Sequence, residues 1–151
     1  MARILVIDDY AAILAMLEMM LAGAGHEVMT ACSGVAGLEL AGRWRPDLVL
    51  LDVDMPEMDG VSVCRELKRV DATMNIPVLL MSGRFGPDLC ERARKAGARG
   101  VMPKPFACEG LLAEIRSAAS EAAGVAVRHR AGGGRDLDLS GPDSPWRGRG
   151  L

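Results

Sequence analysis

Leu48-Val49-Leu50-Leu51-Asp52 is four apolar residues closed by a carboxylate. A run that is apolar throughout, instead of alternating, suits a strand buried on both faces of a parallel sheet. The same arrangement recurs on either side of it. Ile4-Leu5-Val6-Ile7 runs into Asp8-Asp9, Val78-Leu79-Leu80-Met81 into Ser82, and the short Gly100-Val101-Met102 leads to Lys104. Glu27-Val28-Met29-Thr30-Ala31 is a weaker second strand.

Amphipathic segments separate these runs. Ile13, Leu14, Leu17, Met20 and Leu21 make one helical stripe, ended by Gly23 and Gly25. Val61, Cys64, Leu67 and Val70 make another, entered through Met58-Asp59-Gly60. Asp88 to Ala96 is expected to be a helix stopped by Gly97, and Leu111, Leu112, Ile115 and Ala119 mark the last. Ser33 to Gly42 carries three glycines and is the weakest helix. Met16, Met19 and Met20 are expected in the core. The order is (βα)5, an α/β doubly wound three-layer sandwich around a parallel five-stranded sheet.

Composition narrows the function. The chain has 151 residues, a one-domain length, and 50% apolar residues, enough for a sizeable core. Aromatic residues are only 3%, which leaves few base-stacking platforms. Five Arg against three Asp fall in 128–151, so the overall charge of −2 becomes −4 over 1–127. An acidic body does not suit nucleic acid. The first apolar run is too short for a signal peptide or a membrane span, so a cytoplasmic protein is expected. Cys32, Cys64, Cys90 and Cys108 form no zinc pattern and are expected to be buried or half-buried thiols. The helical pattern stops near Ala123, and 123–151, rich in Gly, Arg and Pro, is expected to be a disordered tail.

Ligands of parallel α/β sheets bind beyond the carboxyl ends of the strands. Asp8, Asp9, Asp52, Ser82 and Lys104 all fall there. Clustered carboxylates repel unless a cation is present, and Mg²⁺ takes carboxylate oxygens while keeping several waters. Asp52 is the natural nucleophile, and its attack on phosphorus would give an aspartyl phosphate. Mg²⁺ and Lys104 would balance the phosphoryl charge, and Ser82 would donate a hydrogen bond to it.

These motifs resemble the receiver domain of bacterial two-component response regulators, of the chemotaxis single-domain type. The matching residues are Ile4 to Asp9, Asp52-Val53-Asp54-Met55-Pro56-Glu57-Met58-Asp59-Gly60, Met81-Ser82-Gly83 and Pro103-Lys104-Pro105-Phe106. They assign 1–122 to the receiver. The resemblance implies a flavodoxin-like strand order 2-1-3-4-5, with Asp52 as phosphoacceptor. Asp8 and Asp9 would bind Mg²⁺ together with Asp52 and the backbone carbonyl of Asp54. Ser82 would be the switch hydroxyl, Lys104 the phosphoryl-binding lysine, and Lys104-Pro105 a cis bond. Two positions depart from the family. Val101 stands where Tyr or Phe is common, which weakens the usual hydroxyl–aromatic coupling. Arg84 faces Asp54 along the family's path for hydrolytic water and is expected to be long enough to pair with Asp54 or with a phosphoryl oxygen. Asp59 is expected to be a helix or turn cap, Asp47 to start a strand, and Glu57 to be solvated.

The expected function is a stand-alone response regulator receiver, a phosphoprotein and not an enzyme in the ordinary sense. It would self-phosphorylate from small phosphodonors with Mg²⁺ and slowly dephosphorylate itself. Its partners would be a histidine kinase or phosphotransfer protein and an unidentified downstream protein, with homodimerisation on phosphorylation as a further expectation. No nucleic acid or membrane partner is expected, since the 29 residues after 122 are too few for an output domain. One alternative is a phosphorylation-independent docking module, which would ordinarily lack an acidic residue or the lysine. Another is a phosphatase like the haloacid dehalogenases. That superfamily places its acidic pair after its lysine, whereas Asp8-Asp9 opens this chain.

Overall fold

The computed structural model describes residues 1–128, with side chains to residue 120. The chain alternates β1 (Arg3–Ile7), α1 (Ala11–Gly23), β2 (Glu27–Ala31), α2 (Gly34–Trp44), β3 (Leu48–Asp52), α3 (Gly60–Arg69), β4 (Val78–Ser82), α4 (Pro87–Lys95), β5 (Gly100–Pro103) and α5 (Cys108–Arg128). The five strands form one parallel sheet in the order β2-β1-β3-β4-β5. This is the expected doubly wound arrangement.

Each face of the sheet carries its own core. Leu14, Leu17 and Leu21 of α1 and Leu111, Ile115 and Ala118 of α5 pack on Ile4, Val6, Leu48, Leu50 and Leu79. The other face joins Leu5, Ile7, Val49, Leu51 and Leu80 to α2, α3 and α4. β3 and β4 are buried at every position, which is why their sequences do not alternate. Each fully buried aliphatic side chain contributes about 1.5–3 kcal/mol of transfer free energy. β2, at the sheet edge, is only partly covered.

Local chemistry sets the helix boundaries. Ser33 Oγ accepts the Ala36 N–H at 3.2 Å and starts α2, the helix with the weakest sequence signal. Two of its glycines have a packing role: a Cβ on Gly34 would crowd the Val63 side chain and one on Gly37 would collide with the Ile7 side chain. Pro87 occupies the first turn of α4, and Gly97, with φ +87°, turns the chain after it.

Several expectations need correction. Met16 and Met19 are exposed, because they fall off the Leu14–Leu17–Leu21 stripe. Val70 is also exposed, since α3 ends at Arg69 and Val70 adopts extended backbone. Cys64 is buried and Cys90 half-buried, but Cys32 and Cys108 are exposed. α5 continues through 123–128, residues assigned above to the tail; its alanines are good helix formers. The remainder of that tail lies outside the described residues. No helix among the described residues is long and apolar enough to cross a membrane.

Candidate phosphoryl-accepting site

The site is built where β1, β3, β4 and β5 end. Asp8 follows β1 and is buried, held by its backbone N–H to the Ala31 carbonyl at 3.1 Å. Its Oδ1 accepts the Tyr10 N–H at 2.9 Å, bending the chain into α1. Asp52 is the last residue of β3 and only 4% exposed. Asp9 is exposed beside them. One carboxylate oxygen from each of Asp8, Asp9 and Asp52 lies within 4.8 Å of the others. That spacing suits a small cation held by oxygen donors. Asp9 does not cap α1, whose first turn has no side-chain cap.

Lys104 enters from β5. Its Nζ donates to Asp8 Oδ2 and to Asp52 Oδ1, each at 3.2 Å. Its backbone N–H meets the Ser82 carbonyl at 2.7 Å, and the Lys104-Pro105 bond is cis. Burial alone would lower the lysine. The Asp52 and Asp8 charges and their hydrogen bonds outweigh burial and hold it above its ordinary value. Burial, then the neighbouring Asp8 charge, pushes the Asp52 carboxyl up, against Lys104 and a hydrogen bond from the Asp54 backbone. One ammonium thus faces two buried carboxylates, and the local balance opposes ionisation of Asp52. A divalent cation fits this donor set and this charge.

The β3–α3 loop brings its neighbours close. Gly60 N–H bonds the Val53 carbonyl at 2.9 Å, and a Cβ on Gly60 would fall on the Asp52 carbonyl oxygen. Only glycine lets α3 start so near the acidic residue. Glu57, exposed as expected, has φ +68° within a turn closed by Met58 N–H to the Pro56 carbonyl at 2.8 Å. Asp59 Oδ1 accepts the Ser62 N–H at 2.8 Å, so this residue is a helix cap. Its second oxygen lies 3.7 Å from Arg92 of α4, a contact with no local sequence signal.

Ser82, buried at the end of β4, accepts the Arg84 N–H at 3.0 Å through its Oγ. The side chains of Arg84 and Asp54 are exposed, and among the described residues no ion pair joins them, so the first of the two pairings expected for Arg84 is not made. Val101 is buried in β5. The structure therefore brings Asp8, Asp9, Asp52 and Lys104 into one cluster, with Ser82 and the Asp54 backbone attached to it.

The model of the response regulator receiver domain matches residues 4–116. The chain is 42% identical over 116 residues to response regulator PleD of Caulobacter vibrioides, covering 77% of this chain and 26% of PleD. It is 41% identical over 115 residues to response regulator MprA of Mycobacterium leprae, covering 76% of this chain and 50% of MprA. The chain thus spans half or less of these relatives, both of which continue beyond the shared domain. Among solved structures, chemotaxis protein CheY4 of Vibrio cholerae superposes with a TM-score of 0.76 at 31% identity, covering 78% of this chain and 98% of CheY4. With the strand order, the acidic cluster and the lysine in the same frame, the chain belongs to the response regulator receiver domain family of bacterial two-component signalling.

Proposed function

We propose that the protein is a phosphorylation switch whose acceptor is Asp52. The observation that carries this reading is a buried Asp52 that shares Lys104 with Asp8, at 3.2 Å from the lysine, in a pocket that resists its charge. A histidine kinase or phosphotransfer protein would present a phosphohistidine. The Asp52 carboxylate oxygen forms the new bond to phosphorus while the phosphorus–nitrogen bond breaks, and its electron pair stays on the imidazole. Acetyl phosphate would serve in the same way, with acetate leaving.

Mg²⁺ would be held by Asp8, Asp9, Asp52 and the Asp54 backbone carbonyl. When bound, it supplies positive charge to the phosphoryl oxygens during transfer. Lys104 neutralises one of those oxygens, and its two present partners already aim it at Asp52. Ser82, whose hydroxyl hydrogen is not needed for the Arg84 contact, donates to another. Drawing Ser82 inward changes the β4–α4 loop and so the surface offered to a downstream protein. Homodimerisation of the phosphorylated form belongs to the same proposal. So does action without an attached output domain, which the size of the protein in its source cells would check.

The direct test is intact-mass measurement after incubation with acetyl phosphate and Mg²⁺, beside the Asp52→Ala variant and a chelator control. Modification of wild type alone, and only with the metal, is the expected result. An unmodified wild type, or a modified Asp52→Ala, would overturn the assignment.

A further inference from the structure

α4 is lightly attached to the body. It buries only Leu89 and Ala93, whereas α3 buries Gly60, Val61, Val63, Cys64 and Leu67. Among the polar contacts of the α4 region, which include Cys64 Sγ to the Ala96 carbonyl at the far end of the helix, two reach toward the site. At the entrance to α4, the Arg84 N–H rests on Ser82 Oγ at 3.0 Å. Along the helix, Arg92 Nη2 lies 3.7 Å from Asp59 Oδ2. Asp59 belongs to the same short segment as Gly60, which packs against the Asp52 backbone and bonds Val53. A group added to Asp52 would thus act on both anchorages, one through Ser82 and one through the β3–α3 loop. Position 101, meanwhile, holds a buried valine.

We propose that the Asp59–Arg92 ion pair is a latch that holds α4 in its unmodified position, and that occupancy of Asp52 works against it. The proposal rests on the phosphoacceptor reading. Coupling is reciprocal: if occupancy loosens the latch, then opening the latch tightens binding at Asp52. Asp59 and Arg92 are positioning residues and touch no reacting atom.

The test uses the whole chain with beryllofluoride and Mg²⁺ as the probe, in wild type, Arg92→Ala, Asp59→Asn and the double variant. Asp59→Asn removes the charge but keeps a side-chain oxygen to cap α3. Each single change should tighten beryllofluoride binding by up to about fivefold, equivalent to about 1 kcal/mol, the upper end for an exposed pair. The double variant should gain no more than either single one, because both remove the same contact. Hydrogen exchange of α4 amides in the free protein should quicken in all three while α1 is unchanged. Unaltered affinity in both single variants, effects that multiply in the double variant, or unaltered α4 exchange would overturn the latch. Failure of the wild type to bind beryllofluoride would instead overturn the phosphoacceptor reading, and α4 exchange would then decide the latch by itself.

Discussion

At the edge of the sheet where the strands begin, Asp47 accepts the Arg3 N–H at 2.8 Å, and the Arg3 guanidinium lies 4.5 Å from the centre of the Trp44 ring and 3.8 Å from Glu27. His26, which burial and then the N-terminal charge hold below its ordinary pKa, accepts the Ala2 N–H at 3.1 Å. Lys68 donates to the carbonyls of Met74 at 3.1 Å and Ile76 at 2.6 Å. At the opposite edge, Asp8 and Asp52 share one lysine, and Asp9 adds a third carboxylate. These contacts of the first edge match donors to acceptors and stabilise the fold. The second edge concentrates negative charge beyond what Lys104 offsets, which costs stability and suits the cation and phosphoryl group proposed for it.

That contrast can be broken by substitution, and the largest effect belongs to the acidic edge. Asp52→Ala should abolish covalent phosphorylation altogether, as read by intact mass, while circular dichroism shows the fold retained. Gly60→Ala comes next. It forces a Cβ onto the Asp52 carbonyl oxygen, and overpacking of this kind costs about 1–3 kcal/mol. Chemical denaturation should show that loss together with slower uptake from acetyl phosphate, because the acceptor's backbone must shift. A melting temperature equal to wild type would mean that α3 does not need its close start.

Lys68→Met tests the other edge. It fills similar space but removes the donor from the exposed Met74 carbonyl and the part-buried Ile76 carbonyl. An unsatisfied acceptor costs about 1–3 kcal/mol when buried, so the low end of that range applies here. Denaturation should show a loss at that low end with phosphoryl uptake unchanged. A matching loss of uptake would show that the two edges are not independent.

Asp52→Asn sharpens the comparison by removing the charge at nearly unchanged shape. Burial, then the Asp8 charge, holds the folded Asp52 carboxyl above its ordinary pKa of 3.8. Its contribution to stability is therefore complete below 3.8 and is lost as pH rises through the folded pKa. In metal-free buffer Asp52→Asn should be the more stable protein at neutral pH, and its advantage should shrink as pH falls toward 3.8. Mg²⁺ should reduce the difference by stabilising wild type. A wild type more stable than Asp52→Asn at neutral pH without metal would show that Lys104 already offsets the site. Arg84→Ala should have the smallest effect, within about 0.5 kcal/mol by thermal denaturation, because its exposed side chain makes no ion pair with Asp54.

The unbroken apolar runs at β1, β3 and β4 were enough to read a parallel sheet buried on both faces, and the residue after each run marked the candidate site. Those signals are local: burial on two faces removes alternation, and a ligand edge shows as polar residues at strand ends. The cap at Asp59 was legible for the same reason, as a short-range signal. Exposure of Met16, Met19 and Val70 was not, because hydrophobicity says what a side chain prefers and not which face of a helix the body covers. The Asp59–Arg92 contact was equally invisible, since it joins two helices separated by a strand.

The sequence by itself determined the order of elements, the strand ends and the residue types gathered there, because each depends on periodicity and on close neighbours in the chain. Only the tertiary structure decided that Lys104 bridges Asp8 and Asp52, that Gly60 must lack a side chain, and that Arg84 stands apart from Asp54. Those facts depend on ångström-scale distances between segments far apart in sequence, and such distances follow from how the helices pack on the sheet.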